Sequence, residues 1–193
     1  VCTKLGEPNL LEIKDIDKPT INKDEVLIKV EVAGVNFPDA LLVQGKYQIV
    51  IDPPFIPGNE VCGIIEEKGE NVDIPVGTKV IGIPPIGGFA EFVTINKNLV
   101  IPVSMNFDSL AGASLPINYG TSYYALKRRA NAQSGESLLV LGASGGIGTA
   151  TIQLAKVMGL KTICAVGSDN KEQYAKSLGG DEIVRYDQVD LKE

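Results

Sequence analysis

Leu138-Leu139-Val140-Leu141-Gly142-Ala143-Ser144-Gly145-Gly146-Ile147-Gly148 is the stretch on which the fold turns. An apolar strand, Ser137 to Leu141, runs into a glycine loop over 142–148, and a helix continues to Met158, where Gly159 ends it. Strand, glycine loop and helix in that order are the context a dinucleotide-binding motif requires. Glycines let the backbone turn tightly and come close to a pyrophosphate. The helix start offers unpaired N–H groups and the positive end of its dipole. Gly145 leaves room for that approach, and Gly148 lets the helix lie close to the strand. Gly142, Ala143, Ser144, Gly145, Gly146, Ile147 and Gly148 are therefore the candidate cofactor-binding residues. The spacing is GxxGxxG with an added Gly146 rather than strict GxGxxG, and a plain tight turn uses the same residue types. No Gly-Lys-Ser/Thr follows, so this is not a Walker loop.

Outward from the loop, the alternation continues. On the helix, Ile147, Thr151, Leu154 and Met158 share one face. Lys161 to Val166 reads as a second strand, Lys171 to Leu178 as a short helix closed by Gly179-Gly180, and Glu182 to Tyr186 as a third strand. That is βαβαβ, one half of a doubly wound parallel sheet. The end of the second strand selects the dinucleotide. An NAD-binding fold places an acid there, about 20 residues past the loop, on the ribose hydroxyls. Here Gly167 supplies none, Ser168 can hydrogen-bond a phosphate, and Lys171 can neutralise it. Asp169 argues the other way, unless it points to solvent or caps the next helix. The balance favours NADPH over NADH. Upstream, Leu110 to Leu115 forms a turn or two, and a helix runs from Pro116 to Ala130 with Lys127, Arg128 and Arg129 as a solvated basic end.

Residues 1 to about 103 have a different texture. Val26, Ile28, Val30 and Val32 alternate on one face of a strand, with Lys29 and Glu31 on the other. Val61 to Glu66, Lys79 to Ile83, Phe89 to Ile95 and Leu99 to Val103 are further strands, punctuated by Gly and Pro. One helix interrupts them, Pro38 to Gln44, with Asn36 as its cap, Asp39 in its first turn and Gly45 at its end. The expectation is an all-β, barrel-like domain over 1–115 and an α/β domain over 116–193.

Composition narrows the function. Of 193 residues, 44% are hydrophobic, which suffices for a core without staples. A net charge of −6 disfavours nucleic acid, whose phosphates need a basic face. No apolar run reaches membrane-span length, and the N-terminus lacks the pattern of a secretory signal. Cys2, Cys62 and Cys164 are isolated, suggesting buried thiols in a reducing compartment. A cytoplasmic location is expected, with mitochondrial as the alternative. The histidine count is zero, which removes the usual general base and the commonest metal ligand.

These residues carry a family resemblance. Gly34-Val35-Asn36-Phe37-Pro38-Asp39, Gln44-Gly45-Lys46-Tyr47, Pro57-Gly58-Asn59-Glu60-Val61, Gly87-Gly88-Phe89-Ala90-Glu91-Phe92 and Leu115-Pro116-Ile117-Asn118-Tyr119-Gly120-Thr121 stand in order along the chain, followed by the glycine loop and Gly167-Ser168-Asp169-Asn170-Lys171. The set resembles the medium-chain dehydrogenase/reductase superfamily in its quinone oxidoreductase branch. The resemblance implies a GroES-like β-barrel substrate domain followed by a partial Rossmann domain, with the active site in the cleft between them. It also implies that Ser168, Lys171 and Tyr186 surround the 2′-phosphate of NADPH. Zinc enzymes of the superfamily have Gly-His-Glu where this chain has Gly58-Asn59-Glu60, and their second zinc sits on clustered cysteines. Neither tetrahedral site can be assembled here, so a zinc-independent reductase is implied. Relatives carry a second Tyr where this chain has Leu41, and they continue beyond its last residue. The chain is therefore expected to be a C-terminally truncated form, with a homodimer expected for the full-length parent.

The implied chemistry is hydride transfer from NADPH to a small-molecule quinone or activated enone, an enoyl or alkenal reductase being the neighbouring alternative. Tyr47 and Asn36 are candidate donors to the acceptor oxygen, Asp39 orients Asn36 or a water, and Thr121 bonds the nicotinamide amide. Each has a structural alternative. Asn36 and Asp39 have helix-capping spacing, Tyr47 can pack its ring with its hydroxyl in water, and Thr121 can bond back to its own helix. Glu60 reads as a buried structural acid or ion-pair partner. A second class of function, a catalytically incomplete fragment or isoform acting as a binding or structural protein, follows from the half sheet and its exposed strand edge.

Overall fold

The computed structural model describes residues 1–189, and these fall into two compact units that meet between Pro116 and Ile117 in the chain. The first unit is built on a five-stranded antiparallel sheet. Its strands are β1 (Glu25–Ala33), β2 (Val61–Lys68), β3 (Lys79–Gly82), β4 (Phe92–Asn96) and β5 (Val100–Pro102), in the order β4-β1-β2-β3-β5. β-Branched residues on one face of these strands make the core: Val26, Ile28, Val61, Ile65, Val80, Val93, Ile95 and Val100.

The simple alternation expected of β1 fails at its end. Val26 and Ile28 enter this core and Val30 packs against it, but Val32 packs with Cys62, Ile81 and Ala113 instead. The register with β2 shifts between Val30 and Val32, and a bulge of this kind changes the face a later side chain occupies. Leu27, on the other face by sequence, is also fully buried. The fourth strand begins at Phe92, later than Phe89, because the Gly87–Phe89 segment bonds instead to the loop before β2: Gly87 N–H to Ile56 O, Gly88 N–H to Gly58 O and Phe89 N–H to Pro57 O.

Helix α1 (Phe37–Val43) interrupts the strands where expected, with Asn36 at its N-cap and Gly45 just past its end at φ +66°. Helix α2 (Ser109–Gly112) is one turn, capped by Asp108 through the Leu110 N–H at 3.1 Å.

In the second unit, β6 (Ser137–Leu141), β7 (Lys161–Val166) and β8 (Glu182–Arg185) form a parallel sheet in that order. Between them run α4 (Gly146–Val157) and α5 (Asp169–Ser177). Helix α3 (Leu115–Tyr123) does not stay α-helical to Ala130: Tyr124–Arg129 widens to a π-helical turn, closed by Ala130 N–H to Ala125 O. Lys127, Arg128 and Arg129 are exposed on it. Two further expectations need correction. Gly146, Ile147 and Gly148 are the first turn of α4, not loop, so the loop proper is 142–145. The buried face of α4 carries Gly148, Ala150, Thr151, Ile152 and Ala155, whereas Ile147 is exposed. At the helix start Gly148 lies against the backbone of Gly142 and Ala143, which leaves no room for a side chain.

The core of this unit is Val140, Ala143, Ile152, Cys164, Val166 and Ala175. Thr162, fully buried, ties β7 to the turn before β8: Asp181 Oδ2 accepts from its N–H at 2.8 Å and its hydroxyl at 2.9 Å. Among the described residues β6 pairs only with β7, and Leu139 and Leu141 on it are exposed.

Candidate active site

The glycine loop is shaped for an anion. Gly142 has φ +61°, a left-handed conformation that favours glycine, and it turns the chain out of β6. Gly145 N–H closes the turn onto Gly142 O at 2.9 Å, and Gly145 is the N-cap of α4. The first intrahelical bond is Thr149 N–H to Gly145 O at 2.8 Å. The amides of Gly146, Ile147 and Gly148 precede it and have no acceptor within the helix, at the positive end of its dipole. A Cβ at Gly145 would meet only Gly142 O, at 3.4 Å, so the face of the loop there is open. At Gly148 a Cβ would lie 2.6 Å from Gly142 O, which forces glycine. Asn118 on α3 closes the other side, its Oδ1 2.5 Å from a Cβ built on Gly146. Open amides over a glycine cradle fit the pyrophosphate of a dinucleotide.

At the end of β7 the chain continues through Gly167 to Ser168, the N-cap of α5, whose hydroxyl makes no capping bond. Lys171 is exposed on the first turn of α5, with no carboxylate partner among the described residues. Tyr186, just past β8, lays its ring over Gly167: a Cβ there would come within 2.6 Å of Tyr186 Cε2. Ser168, Lys171 and Tyr186 thus lie at the ends of these two strands. The residue that sequence reading missed is Arg185. Its guanidinium bonds Asp169 through Nη1, Glu172 through Nη1 at 3.2 Å, and Asp187 through Nε and Nη2 at 2.8 Å each. Asp187 and then Asp169 raise the Arg185 pKa further above its ordinary value. Asp169 does reach solvent, and it is not the helix cap; its exposed carboxylate pairs with Arg185. A lone arginine ending a strand, with Asp187 two residues on, was the available signal.

In the first unit, Asn36 and Asp39 meet at the start of α1. Asp39 is buried, and its Oδ2 accepts from Asn36 N–H at 2.8 Å while its Oδ1 accepts from Gly58 N–H at 3.2 Å. Burial pushes the Asp39 carboxyl up, against the opposing pull of those two N–H groups. Asn36 Nδ2 donates to Glu60 Oε1 at 2.6 Å and reaches Asn59 Oδ1 at 3.5 Å. Glu60 is only 1% exposed, and this shared bond ties the start of α1 to the strand entry at β2. The half-buried ring of Tyr47 packs against the cluster of Cys2, Leu42, Val43 and Phe55. Thr121, exposed, lies on α3 in the second unit, before the π-helical turn. A cavity of the first unit lies under the segment 11–19, lined by Ile56, Pro57, Phe89 and Phe92, and includes none of Asn36, Asp39 or Tyr47. Among the described residues no group of three or more His, Cys, Asp or Glu is placed to hold a metal, and the three cysteines are buried apart.

Comparison with known proteins adds a second line. Residues 22–105 match the alcohol dehydrogenase GroES-like domain, and residues 146–193 match the domain described as zinc-binding dehydrogenase. The chain is 39% identical over 197 residues to quinone oxidoreductase-like protein 2 of Bos taurus, covering all of this chain and 55% of that protein. The chain thus spans about half the length of that relative. Among solved structures, quinone oxidoreductase from Thermus thermophilus, determined alone and with NADPH, superposes with a TM-score of 0.86 at 36% identity, over 97% of this chain and 59% of that one. CurK enoyl reductase superposes with a TM-score of 0.85 at 30% identity, over 94% of this chain and 58% of that one.

Proposed function

Because the chain belongs to the medium-chain dehydrogenase/reductase superfamily, in its quinone oxidoreductase branch, we propose that it serves zinc-independent, NADPH-dependent hydride transfer to a quinone or an activated enone. In this reading 1–115 is the substrate domain and 116–193 the first half of the cofactor domain, within a longer cytoplasmic protein that forms a homodimer. The observation that carries it is the open amide cradle of Gly146, Ile147 and Gly148, at the start of the helix that follows one parallel strand, with Ser168, Lys171 and Tyr186 at the ends of the next two. Bound NADPH supplies the hydride, the difficult part of the chemistry.

The chain's own residues bind and orient. The α4 amides and the turn Gly142-Ala143-Ser144-Gly145 hold the pyrophosphate. The Ser168 hydroxyl and the Lys171 ammonium hold the 2′-phosphate, with the Tyr186 ring as a wall. Thr121 is suited to bond a carboxamide. Tyr47 and Asn36 are the donors to the acceptor oxygen, where negative charge develops. Asn36 already donates to Glu60, so serving the acceptor redirects one of its two amide hydrogens, the one on the long 3.5 Å contact to Asn59. Asp39 holds the Asn36 backbone and Gly58 in place and is a positioning residue.

The test is NADPH consumption on adding a quinone or an α,β-unsaturated ketone, in the full-length protein and in its Asn36→Ala and Tyr47→Phe variants. Unchanged kcat/KM in both variants overturns the assignment of those two donors. Turnover of the enone alone selects the enoyl reductase reading, which the likeness to CurK enoyl reductase favours. A non-catalytic binding role is the other reading, favoured by Leu139 and Leu141 exposed on β6. It predicts that this chain binds 2′,5′-ADP but turns over neither acceptor.

A further inference from the structure

Parallel pairing sets Val166, the last residue of β7, beside Arg185, the last of β8. The chain leaving β7 is Gly167, Ser168 and Asp169. An acid at about this distance past a glycine loop is what an NAD-binding fold places on the ribose 2′-hydroxyl, and it is also what repels a 2′-phosphate. Asp169 therefore stands where it would oppose NADPH. Its side chain is 82% exposed, so nothing in the packing hides its charge. What engages it is Arg185.

The Arg185 side chain is itself only 12% exposed. Nε and Nη2 form a two-pronged bond to the Asp187 carboxylate, both at 2.8 Å, which fixes the plane of the guanidinium. The remaining nitrogen, Nη1, then faces α5, where it takes Asp169 and, at 3.2 Å, Glu172. Glu172 has a second cation, Lys176 at 2.7 Å, whereas Arg185 is the one cation engaging Asp169 among the described residues. Lys171 in the same turn is left unengaged.

From this geometry we infer that Arg185 is the positioning residue that sets dinucleotide choice, by tying the Asp169 carboxylate to the β8 end and leaving Ser168 and Lys171 to meet a 2′-phosphate unopposed. The inference rests on the NADPH reading of the same site. Without the arginine, Asp169 is free to accept from a 2′-hydroxyl and to repel the phosphate.

The test is calorimetric titration of this chain and its variants with 2′,5′-ADP and with 5′-AMP, read as the ratio of the two affinities. The unaltered chain prefers 2′,5′-ADP. Arg185→Gln lowers that preference by about tenfold or more, the effect of one like charge nearby at a surface site. Arg185→Gln with Asp169→Asn restores it. Arg185→Gln with Glu172→Gln, which has the same net charge, does not. Equal rescue by both double variants shows a net-charge effect and overturns the inference, as does a preference that survives Arg185→Gln. Equal binding of the two ligands by the unaltered chain overturns the cofactor reading, and the inference with it. Should Arg185→Gln fail to fold, Asp169→Asn alone carries the test: a preference kept or enlarged supports the inference, and a tenfold fall overturns it.

Discussion

Gly148 and Gly142 are in contact: a Cβ on Gly148 would lie 2.6 Å from the carbonyl oxygen of Gly142 and 2.7 Å from the Ala143 backbone. The start of α4 is pressed onto the exit of β6, and it is this contact that holds the helix amides over the loop. Gly148→Ala must move backbone rather than a flexible side chain. It is expected to cost about 1–3 kcal/mol in stability, the usual range for overpacking. It should also weaken 2′,5′-ADP and 5′-AMP alike, because the pyrophosphate cradle serves both. Denaturant unfolding and calorimetry check the two effects, and a variant of unchanged stability and affinity would remove the role given to this contact.

Lys171→Met tests the other end of the cofactor site. With no carboxylate to neutralise, Lys171 is available to a phosphate, so the variant should lose about tenfold in 2′,5′-ADP affinity while 5′-AMP binding holds. The loss should shrink at high salt, since the group is exposed. Titrations at two ionic strengths measure it.

Asn36→Ala removes a 2.6 Å hydrogen bond to the buried Glu60. A stability loss of about 1–3 kcal/mol is expected in the first unit, the range for a hydrogen bond to a buried polar group. A loss of kcat/KM in the full-length enzyme larger than that of stability-matched variants would separate the donor role from the structural one.

Acid sensitivity of the second unit should trace in part to Asp181. The Thr162 N–H and then the Thr162 hydroxyl hold its carboxyl below the ordinary carboxylate range. A depressed folded-state pKa contributes stability that is present above the unfolded value and lost as pH falls through the folded one. Asp181→Asn should therefore flatten the acid limb of stability against pH. Amide exchange of β7, followed through the carboxylate range, is the readout, and an unchanged limb would show that other acids set it.

Treatment with a strong chelator should leave both the melting temperature and the 2′,5′-ADP affinity unchanged, because among the described residues no three His, Cys, Asp or Glu are grouped to hold a metal. A shift in either would identify a metal dependence that the ligand chemistry does not suggest.

Much of this molecule was legible before its structure. The run Leu138–Leu141 into glycines and a helix declares a parallel α/β unit, because only such a turn needs that many residues without side chains. Residues 26 and 28 declare a strand by alternation, although Leu27 between them is buried as well. Yet periodicity misplaced the face of α4. It put Ile147 on the inner face, whereas Ile147 is exposed and the helix start is buried through Gly148, against the backbone of Gly142 and Ala143. It also missed the bulge in β1 that turns Val32 away from Val26, since an extra residue in one strand shows only against its partner.

The site divides in the same way. Local sequence by itself determined the glycine cradle, the cap at Asn36 and the absence of histidine, since each depends on residue type and on neighbours a few positions away. Only the tertiary structure decided that Asn36 bonds to Glu60, that Tyr186 covers Gly167 and that Arg185 claims Asp169. Those pairs are separated in the chain and joined by strand pairing and helix packing. A charge whose partner lies 16 residues away is indistinguishable, in sequence, from a charge in water.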